Sequence, residues 1–255
     1  MKKITENNYM TVYSNLKINT CVQEENKLQD VKITYVDIEM KQQAEDNKEG
    51  TIRLEFVFPA TDISGRWFPI CKFDRSVKAD YDSAVESMTA SSAPVVCFYN
   101  SDGMNRHTIA LSEVRQKVFM KCGIHEEDGN MLCVIEIPVT QGFSEKDLKI
   151  TIWESIERKK YWEVLDKVRY WWEETLNIMP AEVPELAKKP MYSFWYSQHQ
   201  NITAESVEEE SQRAAEMGFS AIIVDDGWQT EDNNRGYAYC GDWEPSQQKF
   251  PDFAQ

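Results

Sequence analysis

The stretch "AIIVDDGWQT", Ala221 to Thr230, decides how the C-terminal part of the chain is read. An apolar run leads straight into two adjacent carboxylates, Asp225 and Asp226, and then into a glycine and a tryptophan. A continuous apolar run is what a parallel strand buried on both faces shows, whereas a half-exposed strand alternates. Parallel α/β sheets place function at the C-terminal ends of their strands, and the two aspartates fall there. Two buried aspartates are costly unless something hydrogen-bonds them. One reading has them capping loop amides. The other has them accepting hydrogen bonds from neighbouring hydroxyls of a sugar.

Upstream, "NITAESVEEESQRAAEMG" (201–218) predicts a helix, with Thr203 as N-cap, Glu205 in the first turn and Gly218 as its stop. Val207, Ala214 and Ala215 give it a small inner face. "MYSFWYS" (191–197) predicts the preceding strand, so the segment reads as a strand–helix–strand unit. Pro180, Pro184 and Pro190 mark a linker before it. Before the linker, Ile156, Tyr161, Val164, Leu165, Val168, Trp171 and Trp172 recur at helical spacing. That Trp-rich stripe reads as packing, on a helix wedged between two domains.

From residue 10 to about 155 the chain reads as strands. "VKITYVDIEM", "TIRLEFVF", "APVVCFYN", "HTIALSEV", "KVFMKCGI", "MLCVIEIPV" and "KITIWES" are separated by turn formers such as "EDNKEG", "NSDG" and "EEDGN". In "TIRLEFVF", Ile52, Leu54, Phe56 and Phe58 share one face. Many short strands so punctuated predict an antiparallel β-sandwich. The expected division is a β-sandwich over 1–155, a helix and Pro-rich linker over 156–190, and the start of an α/β domain over 191–255.

The 255 residues suffice for one large domain or two modest ones, and 42% are hydrophobic. The net charge of −15 argues against nucleic acid or an anionic membrane as partner. No secretory signal pattern follows Lys2 and Lys3, and no run of about 18 apolar residues occurs. The six cysteines, Cys21, Cys71, Cys97, Cys122, Cys133 and Cys240, form no C-x-x-C pair. They are expected as buried free thiols of a cytoplasmic protein.

The aspartate pair does not suit general acid/base work, because adjacent strand residues point to opposite faces. A retaining glycosidase needs its two carboxyls about 5 Å apart across a sugar. His199 and Cys240 are the soft ligands nearby, and their spacing fits no familiar metal site. Aromatics favour a sugar. Trp195 ends the first strand, Trp228 follows the pair and Trp243 lies in the next loop. Carboxylates bind hydroxyls, and indole faces cover the apolar side of a sugar ring.

"VDDGW", followed by "GDWEPSQQKFPD", resembles the α-galactosidases of glycoside hydrolase family 36, over roughly Lys189 to Asp252. The resemblance implies a multi-domain protein of β and α/β parts, in which an N-terminal β-sandwich precedes a (β/α)8 TIM barrel. Here only the first two βα units of that barrel are present. It implies that Asp225 and Asp226 hold hydroxyls of a terminal galactose, that Trp195 lines the same subsite, and that Trp67 in "SGRWFP" is lent to the barrel mouth. Packing in the core is the equal alternative for Trp67. Family members carry a nucleophilic aspartate on the fourth barrel strand, in a K-x-D setting, and an acid/base aspartate on the sixth. A (β/α)8 barrel needs about 250 residues. The chain therefore reads as the N-terminal portion of a longer enzyme, with both catalytic carboxylates expected beyond Gln255. The implied substrate is an oligosaccharide ending in α-linked galactose, cleaved with retention and without metal or other cofactor. A galactosyl-transferring relative of the raffinose or stachyose synthase sort, an α-N-acetylgalactosaminidase, and a non-catalytic carbohydrate-binding or assembly module stay open.

Overall fold

A computed structural model of the chain describes residues 1–6, 10–15, 18–28, 30–40, 50–71, 74–88, 91–139, 148–177, 179–232 and 243–253. The turn "EDNKEG" up to Glu49, and Cys240, Gly241 and Asp242 of the next loop, lie outside the described residues. The chain divides into two compact units, Met1–Met179 and Pro180–Gln255.

The first unit is built from antiparallel strands. One six-stranded sheet contains β1 (Lys2–Glu6), β2 (Met10–Ser14), β5 (Gly50–Pro59), β11 (Asn130–Val139), β10 (Val118–Ile124) and β7 (Val85–Ser87), in that spatial order. The other contains β3 (Ile18–Leu28), β4 (Val31–Met40), β12 (Leu148–Ser155), β9 (Asn105–Leu111), β8 (Val95–Tyr99) and β6 (Gly65–Trp67). Alternation explains why they pack face to face. On β5 the inward positions Ile52, Leu54, Phe56 and Phe58 are buried, as the sequence predicts, and they meet Met131, Cys133, Ile135 and Ile137 of the paired β11. Across the interior stand Val36, Val96, Phe98, Ile109, Leu111, Ile150 and Ile152. β1, β2, β3, β6 and β7 are not among the strands that the sequence pattern predicts: β1, β2, β6 and β7 are only three to five residues long, and the polar β3, at the edge of its sheet, carries little apolar alternation.

The outer face of the second sheet is also covered. Helix α1 (Tyr161–Leu176) lays Val164, Val168 and Trp171 on Val31, Ile33, Val95, Ala110 and Trp153, and the Trp172 indole donates to the Leu111 carbonyl at 2.9 Å. This is why two adjacent residues of β12 are both buried and apolar: Ile152 faces the interior and Trp153 faces the helix. Trp67 is half-buried in this same helix–sheet seam.

The cysteines depart from the expectation of buried free thiols. Cys122 and Cys133 lie directly opposite each other on β10 and β11 and are joined as a disulfide. Strand register created that pairing, and sequence spacing does not reveal register. Cys97 is a buried thiol, pushed up to about 12 by burial, whereas Cys71 is half-buried and Cys21 exposed. The cytoplasmic location loses the support that free thiols would have given it. Among the described residues no helix is long and apolar enough to cross a membrane.

At one end of the sandwich the inward alternation turns polar. Continuing outward from Val36 and Thr34 gives Lys32; from Ile150 and Ile152, Glu154; from Leu111 and Ile109, His107. His107 Nε2 lies 3.0 Å from Glu154 Oε1, and Lys32 Nζ lies 3.5 Å from Glu154 Oε2. Burial pushes the Glu154 carboxyl up, but His107 and Lys32 more than offset this and hold it below its ordinary value.

Two outcomes are expected. Phe56→Ala should cost about 3–5 kcal/mol of unfolding free energy. Val57→Ala on the same strand, 45% exposed, should stay within about 0.5 kcal/mol in denaturant titration. Because Glu154 binds its proton less readily in the folded than in the unfolded chain, its stabilising contribution is present above the ordinary glutamate range. That contribution is lost as pH falls through the folded-state value. The stability gap between the native chain and Glu154→Gln should therefore narrow across that acid window, measured by urea unfolding at stepped pH.

Candidate functional site

The second unit begins with the parallel pair β13 (Met191–Ser193) and β14 (Ala221–Ile223), in which Met191, Tyr192 and Ser193 face Ala221, Ile222 and Ile223. Helix α3 (Ala204–Glu216) connects them. Thr203 caps it as the sequence predicts: its hydroxyl accepts from the Ser206 amide, and the Ser206 hydroxyl accepts from the Thr203 amide. Ala214 is buried and Val207 half-buried, but Ala215 points to solvent, so the inner face is narrower than expected. β14 is not buried on both faces either. Ile222 and Ile223 are 38% and 45% exposed, because this sheet has two strands and few partners to cover them.

Trp195 does not end the first strand. β13 stops at Ser193, the Phe194 amide donates to the Ile223 carbonyl at 3.1 Å, and Trp195 opens a single helical turn, α2 (Trp195–Gln198). Its ring packs on His199, with centroids 4.0 Å apart.

The two aspartates follow β14, and their environments differ. Asp225 is exposed, not buried as expected, and Asp226 is half-buried. Asp225 Oδ1 accepts the Asp226 amide at 2.8 Å, and Asp226 Oδ1 accepts Gln229 Nε2 at 3.2 Å. Each carboxylate thus spends one oxygen on the turn itself. Gly227 makes the turn possible. Its φ is +110°, and a Cβ there would lie 2.5 Å from the Gln200 carbonyl oxygen.

Lys249 then locks the turn from outside. Its ammonium donates to the Gly227 carbonyl at 2.8 Å and to the Gln200 carbonyl at 3.2 Å. Burial pulls the pKa of this amine down, while Glu231 acts in the opposite sense. The following Phe250 is buried with Phe194 and Ile202, and the Lys249 carbonyl accepts the Ala204 amide. Sequence reasoning gave Gln200, Gln229 and Lys249 no role. The lysine was visible in "KFPD", but its partners are backbone carbonyls, which carry no sequence signature.

Of the tryptophans, Trp228 and Trp243 come together, with ring centroids 6.0 Å apart, and Phe253 stacks on Trp228 at 5.7 Å. A cavity of about 560 Å³ beside Trp228 is lined by Ala204, Val207, Val224, Phe250 and Phe253, among others, and by neither Asp225 nor Asp226. Trp67 belongs to the other unit.

Lys249→Met should leave α3 intact but release the turn. Amide exchange at Gly227 and Ala204 should rise at least about tenfold, against little change at Val207. Gly227→Ala should cost about 1–3 kcal/mol through backbone strain alone, and more from the clash, read as loss of protection throughout 221–230.

No protein-family model matches the chain, and no curated protein matches it. Among solved structures, it is similar to the α-galactosidase of Lactobacillus brevis, with a TM-score of 0.44 and 9% identity, over 95% of this chain and 39% of that one. It is also similar to a substituted form of the glycoside hydrolase family 36 α-galactosidase of Geobacillus stearothermophilus in complex with stachyose. There the TM-score is 0.47 and the identity 10%, over 97% of this chain and 38% of that one. The chain spans less than two fifths of the length of either protein.

Proposed function

We propose that the chain carries the sugar-gripping portion of an α-galactosidase-type retaining glycoside hydrolase of family 36, as a sandwich followed by the first two strands of a (β/α)8 barrel. The observation that carries this reading is the Asp225–Asp226 turn at the C-terminal end of a parallel strand. One oxygen of each carboxylate is held by the turn, which orients the group and leaves the other oxygen for a ligand hydroxyl. The axial 4-hydroxyl of galactose and its 6-hydroxymethyl group lie on the same side of the ring and suit two adjacent acceptors. Trp228 and Trp243 supply indole faces for the apolar side of the sugar, with Trp195 beside the same subsite.

Asp225 and Asp226 bind; they do not perform the displacement. The nucleophile that would form the galactosyl-enzyme intermediate and the acid/base that would protonate the leaving oxygen belong to later barrel strands. No residue after Pro190 stands in a K-x-D setting. Galactosyl-transferring relatives and α-N-acetylgalactosaminidases would share this part of the site, since the acceptor pocket and the surroundings of the 2-position are shaped elsewhere.

The purified 255-residue chain should show no turnover of 4-nitrophenyl α-D-galactoside. In a full-length enzyme containing it, Asp225→Ala and Asp226→Ala should each lower kcat/KM at least about tenfold. That is the cost of losing one hydrogen bond to a charged group, about 1.5–3 kcal/mol. The preference for galactosides over glucosides should narrow as well. Turnover by the chain alone, free of host enzyme, or normal activity per folded molecule in both variants, overturns the reading.

A further inference from the structure

The polar end of the sandwich is a second place where the fold does something a packed core does not require. A cavity of about 430 Å³ opens there, within the range of about 300–1,000 Å³ typical of small-molecule sites. Its apolar wall includes Val31, Phe58, Pro59 and Ile63, and its polar groups include His107 and Glu154. Both of the latter are more than nine-tenths buried, at 8% and 6% exposure. Replacing a buried ionic pair by apolar residues of similar volume is often neutral or stabilising. Three inward positions on three neighbouring strands nevertheless hold Lys32, Glu154 and His107 beneath an open cavity.

The geometry says what each group can do. Glu154 accepts at His107 Nε2, which fixes the ring and leaves Nδ1 as the free nitrogen, with no partner among the described residues. The Phe58 ring lies 4.0 Å from the imidazole, centroid to centroid, and supports it from one side. Two of the three positive groups of the lining are engaged: Arg106 is bonded to Asp62, and Lys32 is paired with Glu24 and Glu154. Asp30 adds a further negative charge to the lining, and Arg158 sits at the exposed rim. With the two inner cations paired, Asp30 in the lining and Arg158 out at the exposed rim, the interior of the site, in a chain of net charge −15, does not favour an anion. A hydroxyl, which donates and accepts at once, suits the free imidazole nitrogen in either protonation state, and the C–H face of a compact ring suits the apolar wall.

We propose that this cavity of the sandwich unit is a binding site for a neutral polyhydroxylated molecule of monosaccharide size, anchored by His107, with Glu154 as the positioning residue behind it. The site is independent of the Asp225–Asp226 reading and lies in the other unit.

The test uses the whole 255-residue chain carrying Asp225→Asn and Asp226→Asn, so that binding at the other unit is blanked. D-galactose, D-glucose and myo-inositol are titrated against it, with inorganic phosphate and acetate as anionic counterparts. Site-resolved NMR follows the amides of Phe58, Ile63, His107 and Ile156. Saturable shifts confined to these residues are expected with at least one of the neutral probes. His107→Ala should weaken binding at least about tenfold. Thr61→Trp, placed at the exposed rim where it crowds the mouth without touching the core, should abolish binding while the thermal midpoint stays unchanged. No saturable shift with any neutral probe, shifts with phosphate or acetate alone, or undiminished binding in a folded Thr61→Trp chain would overturn the proposal.

Discussion

The packing of two antiparallel sheets through one shared interior is the constraint on which the first unit depends. A strand can offer only every second side chain to that interior. The central strands β5 and β11 obey this strictly, with Ile52, Leu54, Phe56 and Phe58 set against Met131, Cys133, Ile135 and Ile137 on one face. A one-residue slip of either strand would turn all of these outward. The same register sets Cys122 against Cys133, so the disulfide follows from the sheet rather than organising it. The second sheet escapes strict alternation because α1 covers its other face, and there Val31, Ile33, Ala110 and Trp153 find an apolar partner.

The second unit is held by a different device. Its two-stranded sheet has little interior of its own, and Ile222 and Ile223 remain partly in solvent. Order at the end of β14 comes from backbone polar groups. Gly227 brings the chain against Gln200 where no side chain fits, and Lys249 bonds both carbonyls at once. Buried backbone carbonyls need partners, and an ammonium with three donors can serve two of them in one place. Asp225 and Asp226 therefore sit on a turn fixed by its backbone, with their free oxygens aimed by the hydrogen bonds that engage the others.

Both units thus place ionisable groups where strands end. At the end of β14 Asp225 stays exposed and Asp226 half-buried. At the end of the sandwich His107, Glu154 and Lys32 occupy inward positions, and they remain polar there only because each has a charged or hydrogen-bonding neighbour. The two arrangements share no residue and belong to separate units.

Periodicity made β4, β5, β8, β9, β10, β11 and β12 of the sandwich, the helix over 161–176 and the Thr203 cap legible in the sequence, because these depend on near neighbours along the chain. "VDDGW" marked the turn for the same reason: an apolar run, two charges and a glycine are local facts. What the sequence did not disclose was everything decided by partners distant in the chain. Trp195 left the strand for a helical turn, Cys122 found Cys133, and Asp225 stayed exposed because no further strand covers β14 among the described residues. Gln200 and Lys249 acquired their roles from carbonyl oxygens, which every residue possesses. The His107–Glu154–Lys32 set was hidden for the same reason. Each residue follows an ordinary alternating run on its own strand, and only the pairing of β4, β12 and β9 brings the three to one end of one interior.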